Sequence, residues 1–197
     1  MKKIWSIVFV CFTYTVYTQP NEARLQQLRT NVTIDATDTS VIDLLDDFYE
    51  QGLQSDAGEL SPDLAQRIEK IARNKKTKNK HLFLLFMAYQ DHISQTAAVG
   101  KAPNSKFQLE LMVDLAHECK MIYNKIPAIV YVYHYEALVS NGRSTAAATL
   151  LQEALNIYPD AIPLKVYQYL LSKEPALKTD LLNNHSNHWM VKQFEIK

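Results

Sequence analysis

Apolar positions recur at helical spacing along most of this chain. Val41, Ile42, Leu44, Leu45, Phe48 and Tyr49 form one face. They predict a helix capped by Thr39 or Ser40, with Asp43 near its positive end. Gly52 is expected to end it. Ser61-Pro62-Asp63 is a start signal: a cap, a proline in the first turn, then an acid. Leu64, Ile68 and Ile71 follow it at near-helical spacing. The run Leu82 to Tyr89 is apolar on nearly every position, which fits a buried strand as well as a buried helix. The pattern continues through Ile93 to Ala98 and stops at Gly100, so a central helix over Leu82 to Val99 is predicted.

Further helices are predicted on either side. Asn21 to Arg29 reads as a short helix with Leu25 and Leu28 on one side, followed by a loop from Asn31 to Asp38. Pro103-Asn104-Ser105 opens a helix with Phe107, Leu111, Val113, Leu115 and Ile122 at apolar positions. Lys120 and Lys125 suit its C-terminal end. Ala161-Ile162-Pro163 begins another, carrying Val166, Tyr167, Tyr169, Leu170 and Leu171. Pro175 interrupts that pattern and starts a shorter helix ending near Asn183. Trp189, Met190, Val191 and Phe194 form a last apolar segment, expected to dock on the preceding pair.

The most specific stretch runs from Ala128 to Ala161. It reads as two amphipathic helices joined at Asn141-Gly142, where glycine adopts the left-handed backbone without a Cβ clash. Ser144 is expected to cap the second helix, and Pro159 closes the segment. Ala147, Leu151 and Ala154 lie on one stripe, two small residues flanking a bulky one. With Gly142, Pro159, Tyr131 and Leu138 in register, the segment resembles one tetratricopeptide repeat, a helix–turn–helix unit of about 34 residues. Tyr135 stands where that family prefers a very small residue. The resemblance implies an all-α fold of antiparallel helix pairs, a repeat-like solenoid or a fragment of an α-α superhelix. About three or four pairs fit the chain. No second copy of the signature appears in the flanking sequence.

The resemblance also implies a function. Repeats of this family commonly bind peptides or partner proteins along the concave face lined by first helices. By position, the corresponding residues are Ile129, Val132, Tyr133, Glu136 and Ser140.

The N-terminus has a different character. Lys2 and Lys3 precede an apolar run from Ile4 to Phe12, and Thr13 to Thr18 is more polar. This is the layout of a secretory signal peptide, with cleavage expected after Thr18. The run is too short to span a bilayer, which takes roughly 20 residues. The expected mature chain, residues 19–197, is a single domain in the periplasm or outside the cell. Phe9 and Val10 before Cys11 do not suit lipidation. Cys119 is then the only cysteine, so no disulfide is expected within the mature chain and no other segment reads as transmembrane.

Composition adds limits. The chain has 197 residues and is 47% hydrophobic, with 21 basic and 21 acidic residues. That suffices for one packed core and gives no general attraction to nucleic acid. Charge is segregated, however. Asp35 to Asp63 holds only acidic charges, and Arg67 to Lys80 is basic apart from Glu69. The basic cluster could meet an acidic partner, but mutual neutralisation on a solvated surface is the simpler expectation.

Candidate chemistry is sparse. Cys119 shares a stripe with Met112, Leu115, Ala116 and Ile122 and reads as a buried small hydrophobe. His117 and Cys119 do not form a facing pair. His185 and His188 have metal-ligand spacing but lack further ligands, and read as a surface pair. Tyrosines crowd the second half of the chain and are expected to pack between helices with hydroxyls at the edge. Asn31-Val32-Thr33 matches the glycosylation acceptor pattern. No phosphate-binding loop, dinucleotide fingerprint or nucleophile elbow is present. No cofactor and no metal are expected. The leading expectation is an exported, non-catalytic protein-interaction module. The alternatives are a small exported helical enzyme, such as a metal-dependent hydrolase, and a structural component of an envelope assembly.

Overall fold

The computed structural model describes residues 19–197. The expected signal peptide and Cys11 lie outside the described residues. Among those described, the chain is all-α, with ten α-helices and one π-helical turn. In order these are α1 (Glu22–Arg29), α2 (Ser40–Tyr49), the π turn (Glu50–Gln54), α3 (Pro62–Arg73), α4 (Lys80–Ala98), α5 (Ser105–Tyr123), α6 (Ala128–Ser140), α7 (Ser144–Ile157), α8 (Ile162–Ser172), α9 (Pro175–Asn184) and α10 (Trp189–Gln193).

Several starts follow the cap chemistry. Asn21 Oδ1 accepts from Arg24 N at 3.1 Å, Ser61 Oγ from Leu64 N at 3.3 Å, and Asn104 Oδ1 from Phe107 N at 3.1 Å. Each side-chain oxygen satisfies an amide that the first turn leaves without a partner. The apolar run at Leu82 is helical, as its length demands.

Two boundaries differ from expectation. Gly52 does not end α2. The chain widens into the π turn and continues to Gln54. A Cβ at Gly52 would sit 3.2 Å from the Leu60 side chain, which would have to give way by a few tenths of an ångström. Ser144 is not the cap of α7 but its first helical residue. Arg143 occupies the cap position, and its carbonyl accepts from Ala147 N at 3.0 Å. Gly142, at φ 72°, closes α6, with Gly142 N donating to Val139 O and Arg143 N to Leu138 O, each at 2.9 Å.

From α4 to α9 each helix packs on the next in sequence, and the short connections make neighbours antiparallel. The stripe Ala147, Leu151 and Ala154 is buried, and α6 and α7 pack closely together. The second element of the core is α2. It lies against both α4 and α6, with Val41, Leu44 and Leu45 buried, while the π turn reaches α8. Gln54 fixes that contact: its amide donates to Asp160 O at 3.0 Å, and its Oε1 accepts from Ile162 N at 3.0 Å. The face shared by α4, α6 and α8 is therefore partly covered by the chain's own α2.

The C-terminus folds back over the same region. A small second core joins Ile162, Val166, Leu181, Met190, Val191 and Ile196. Trp189 N donates to Asp56 O at 3.1 Å. Among the described residues, no helix is long and apolar enough to cross a membrane, and Cys119 is a buried free thiol.

Candidate functional site

The five candidate contact residues of α6 separate into two groups. Ile129 and Val132 are fully buried. Tyr133 and Glu136 are half-buried, and Ser140 is exposed at the helix end. A partner on this face would meet the latter three rather than the two aliphatic residues.

Around Glu136 the structure assembles an aromatic wall from several helices. Tyr133 stacks on Tyr89 of α4, with ring centroids 5.0 Å apart and an angle of 24°. Phe86 continues the stack at 6.3 Å and meets Phe48 of α2 edge-on at 5.1 Å. On the other side, Tyr167 of α8 stacks on Tyr135 at 4.7 Å and meets Phe194 edge-on at 6.2 Å. The Tyr167 hydroxyl donates to Glu136 Oε1. Gln90 lies beside the Tyr133 hydroxyl, and its amide nitrogen is buried without an acceptor.

Burial pushes the Glu136 carboxyl above its usual range, and the Tyr167 hydroxyl only partly offsets this. Burial also raises Tyr89, Tyr133 and Tyr167, and for Tyr167 the Glu136 charge adds to the effect. Among the described residues, no basic side chain balances Glu136.

The other buried acids have cations. On α5, Glu118 meets His81 Nε2 at 2.9 Å and a bidentate Arg29. Burial opposes its ionisation, but His81 and Arg29 together win and bring it down to about 2. Asp114 faces Arg24 Nε at 3.0 Å and accepts from Asn21 N at 2.6 Å. There burial prevails and the carboxyl is raised. These pairs fasten α1 to α5. Sequence reading missed them, although Asp114 and Glu118 stand on the apolar stripe of Leu111 and Leu115, where a solvated acid has no place.

The remaining candidates are structural. His188 is fully buried, so it is not half of a surface pair. Its Nδ1 accepts from Met190 N at 3.2 Å, and its Nε2–H donates to Leu53 O at 2.9 Å, which fixes the neutral tautomer. Burial holds its pKa below the usual imidazole value. Cys119 is enclosed and its thiol is pushed up by burial. The charged stretches partly neutralise each other through Arg67–Asp47, while Lys80 Nζ caps α3 by donating to Ala72 O at 2.6 Å and Asn74 O at 3.0 Å.

Hollows lie elsewhere on the described residues. One of about 730 Å³ runs between α1 and the α4–α5 pair, with Leu28, Leu84 and Phe107 beside Arg24, Lys75 and Lys80. Another of about 330 Å³ lies by the basic loop after α3. Among the described residues, no group of three metal-ligating side chains converges. In comparisons with known proteins, no family model, no curated protein and no solved structure matches this chain.

Proposed function

We propose that the protein is an exported, non-catalytic interaction module, related in design to tetratricopeptide repeat proteins, that binds a protein or peptide on the face of α6 beyond α2. One observation supports this most strongly. Tyr133, Glu136 and Ser140 are the positions of this α6 face that stay open to solvent, and they combine aromatic surface with a carboxylate that meets no cation among the described residues. Aromatic residues with few polar anchors are the usual make-up of energetic contact centres.

A photo-crosslinking residue at Ser140 tests the proposal against one at Gln152, an exposed position on α7. In the native envelope or secreted fraction, the Ser140 probe is expected to give one discrete adduct that the Gln152 probe does not. Identical adduct patterns from both positions would overturn the assignment of this face.

A further inference from the structure

We propose that the α6 face recognises a basic side chain, lysine or arginine, of its peptide partner, with Glu136 as the counter-charge and the surrounding tyrosines as its walls. This rests on the interaction reading above and names what that face selects. The argument begins with charge. Glu118 and Asp114, the carboxylates buried on α5, are met by Arg29, His81 and Arg24. Glu136 has one hydroxyl donor, from Tyr167, and no cation among the described residues. A carboxylate held away from water without a cation is costly in its ionised form. A guest ammonium or guanidinium supplies the missing charge.

Aromatic surroundings point the same way. Tyr133 and Tyr167 flank Glu136 from α6 and α8; each stacks one ring face on a neighbour, Tyr89 or Tyr135, and the opposite face of either ring would attract a cation brought within about 6 Å. An acidic guest would face the opposite: a carboxylate and electron-rich rings. The titratable groups facing Glu136 are Tyr89 from α4, Tyr133 and Tyr135 from α6, and Tyr167 from α8, all held protonated by burial. Glu136 alone among them changes charge between acid and neutral pH. A cationic guest therefore drives the proton from its carboxyl to the buffer, and binding is linked to proton release.

Titration calorimetry of the purified protein tests this with terminally blocked Gly-Gly-Lys-Gly-Gly, its arginine counterpart and the Nε-acetylated lysine version. Buffers of different ionisation heat report the proton. The two cationic peptides are expected to bind and the acetylated one not. Their affinity should fall by about tenfold per pH unit below the carboxyl's pKa, with a proton released on binding in that range. Glu136→Gln should abolish both binding and proton release. Equal binding of the acetylated peptide, absence of binding by both cationic peptides, or retention of both properties in Glu136→Gln would each overturn the proposal. The acetylation comparison stands even if the variant is unstable. A Ser140 adduct that persists in Glu136→Gln would leave the interaction face intact and remove only the cationic specificity.

Discussion

Leu151 illustrates what one residue contributes here. It is fully enclosed on α7, between Ala147 and Ala154, which are also buried. Leu151→Ala is expected to cost roughly 2–5 kcal/mol, because transfer energy is lost and a cavity remains. Ala147→Leu should cost about 1–3 kcal/mol for the opposite reason, since α6 leaves no room for a larger side chain. Chemical denaturation measures both, and an unchanged midpoint in both would contradict the tight packing of α6 on α7. Glu118 supplies a pH signature. Its folded-state pKa lies below the ordinary value, so its contribution is complete above about 4.5 and is lost as pH falls towards about 2. The shift corresponds to a contribution on the order of 3 kcal/mol. Denaturation midpoints across this window should fall more shallowly in Glu118→Gln than in the parent protein. Asp114 has the opposite sign, because its raised pKa favours the protonated folded state at low pH.

At the scale of elements, helix ends and straps do as much as helix interiors. Asn79 stands in the left-handed conformation before α4 and is fully buried. Its Oδ1 accepts from Asp35 N at 2.9 Å, and its Nδ2 donates to Asp35 O at 2.7 Å and to the Tyr123 hydroxyl at 2.6 Å. Tyr123 in turn donates to Asp38 O at 2.7 Å. One side chain thus holds the loop before α2 onto α4 and α5. Asn79→Gly keeps the backbone conformation and removes these bonds, so it isolates their value. A loss of about 1–3 kcal/mol is expected, with faster hydrogen exchange at the Asp35 amide. Unchanged exchange there would mean that the loop is held by other contacts. Fastening of α1 follows the same logic. It buries Leu25 and packs Leu28 against the core, and ion pairs to α5 add to that attachment.

For the whole molecule, the central relation is between the row of hairpins from α4 to α9 and α2 laid across α4 and α6. Export belongs to this scale too. The basic head and short apolar run are expected to be removed, and N-terminal sequencing of the protein from its native host should begin near Gln19. Recovery of an intact Met1 form from the cytosol would contradict export. Much of the architecture was legible beforehand, because helical periodicity, Ser61, Asn104, Gly142 and Pro175 act through local backbone chemistry. The all-α class and most helix positions, including the ambiguous Leu82 run, were determined by sequence alone. Tertiary structure decided which faces remain open. Ile129 and Val132 occupy positions suited to a binding surface, yet packing of α6 among α2, α5 and α7 leaves both fully buried, and nothing local in α6 encodes those contacts. Glu136 acquired its unusual state in the same way. Its burial and its Tyr167 partner come from α8, 31 residues further along the chain. Periodicity fixes the side of a helix on which a residue stands, whereas only packing fixes what stands opposite it.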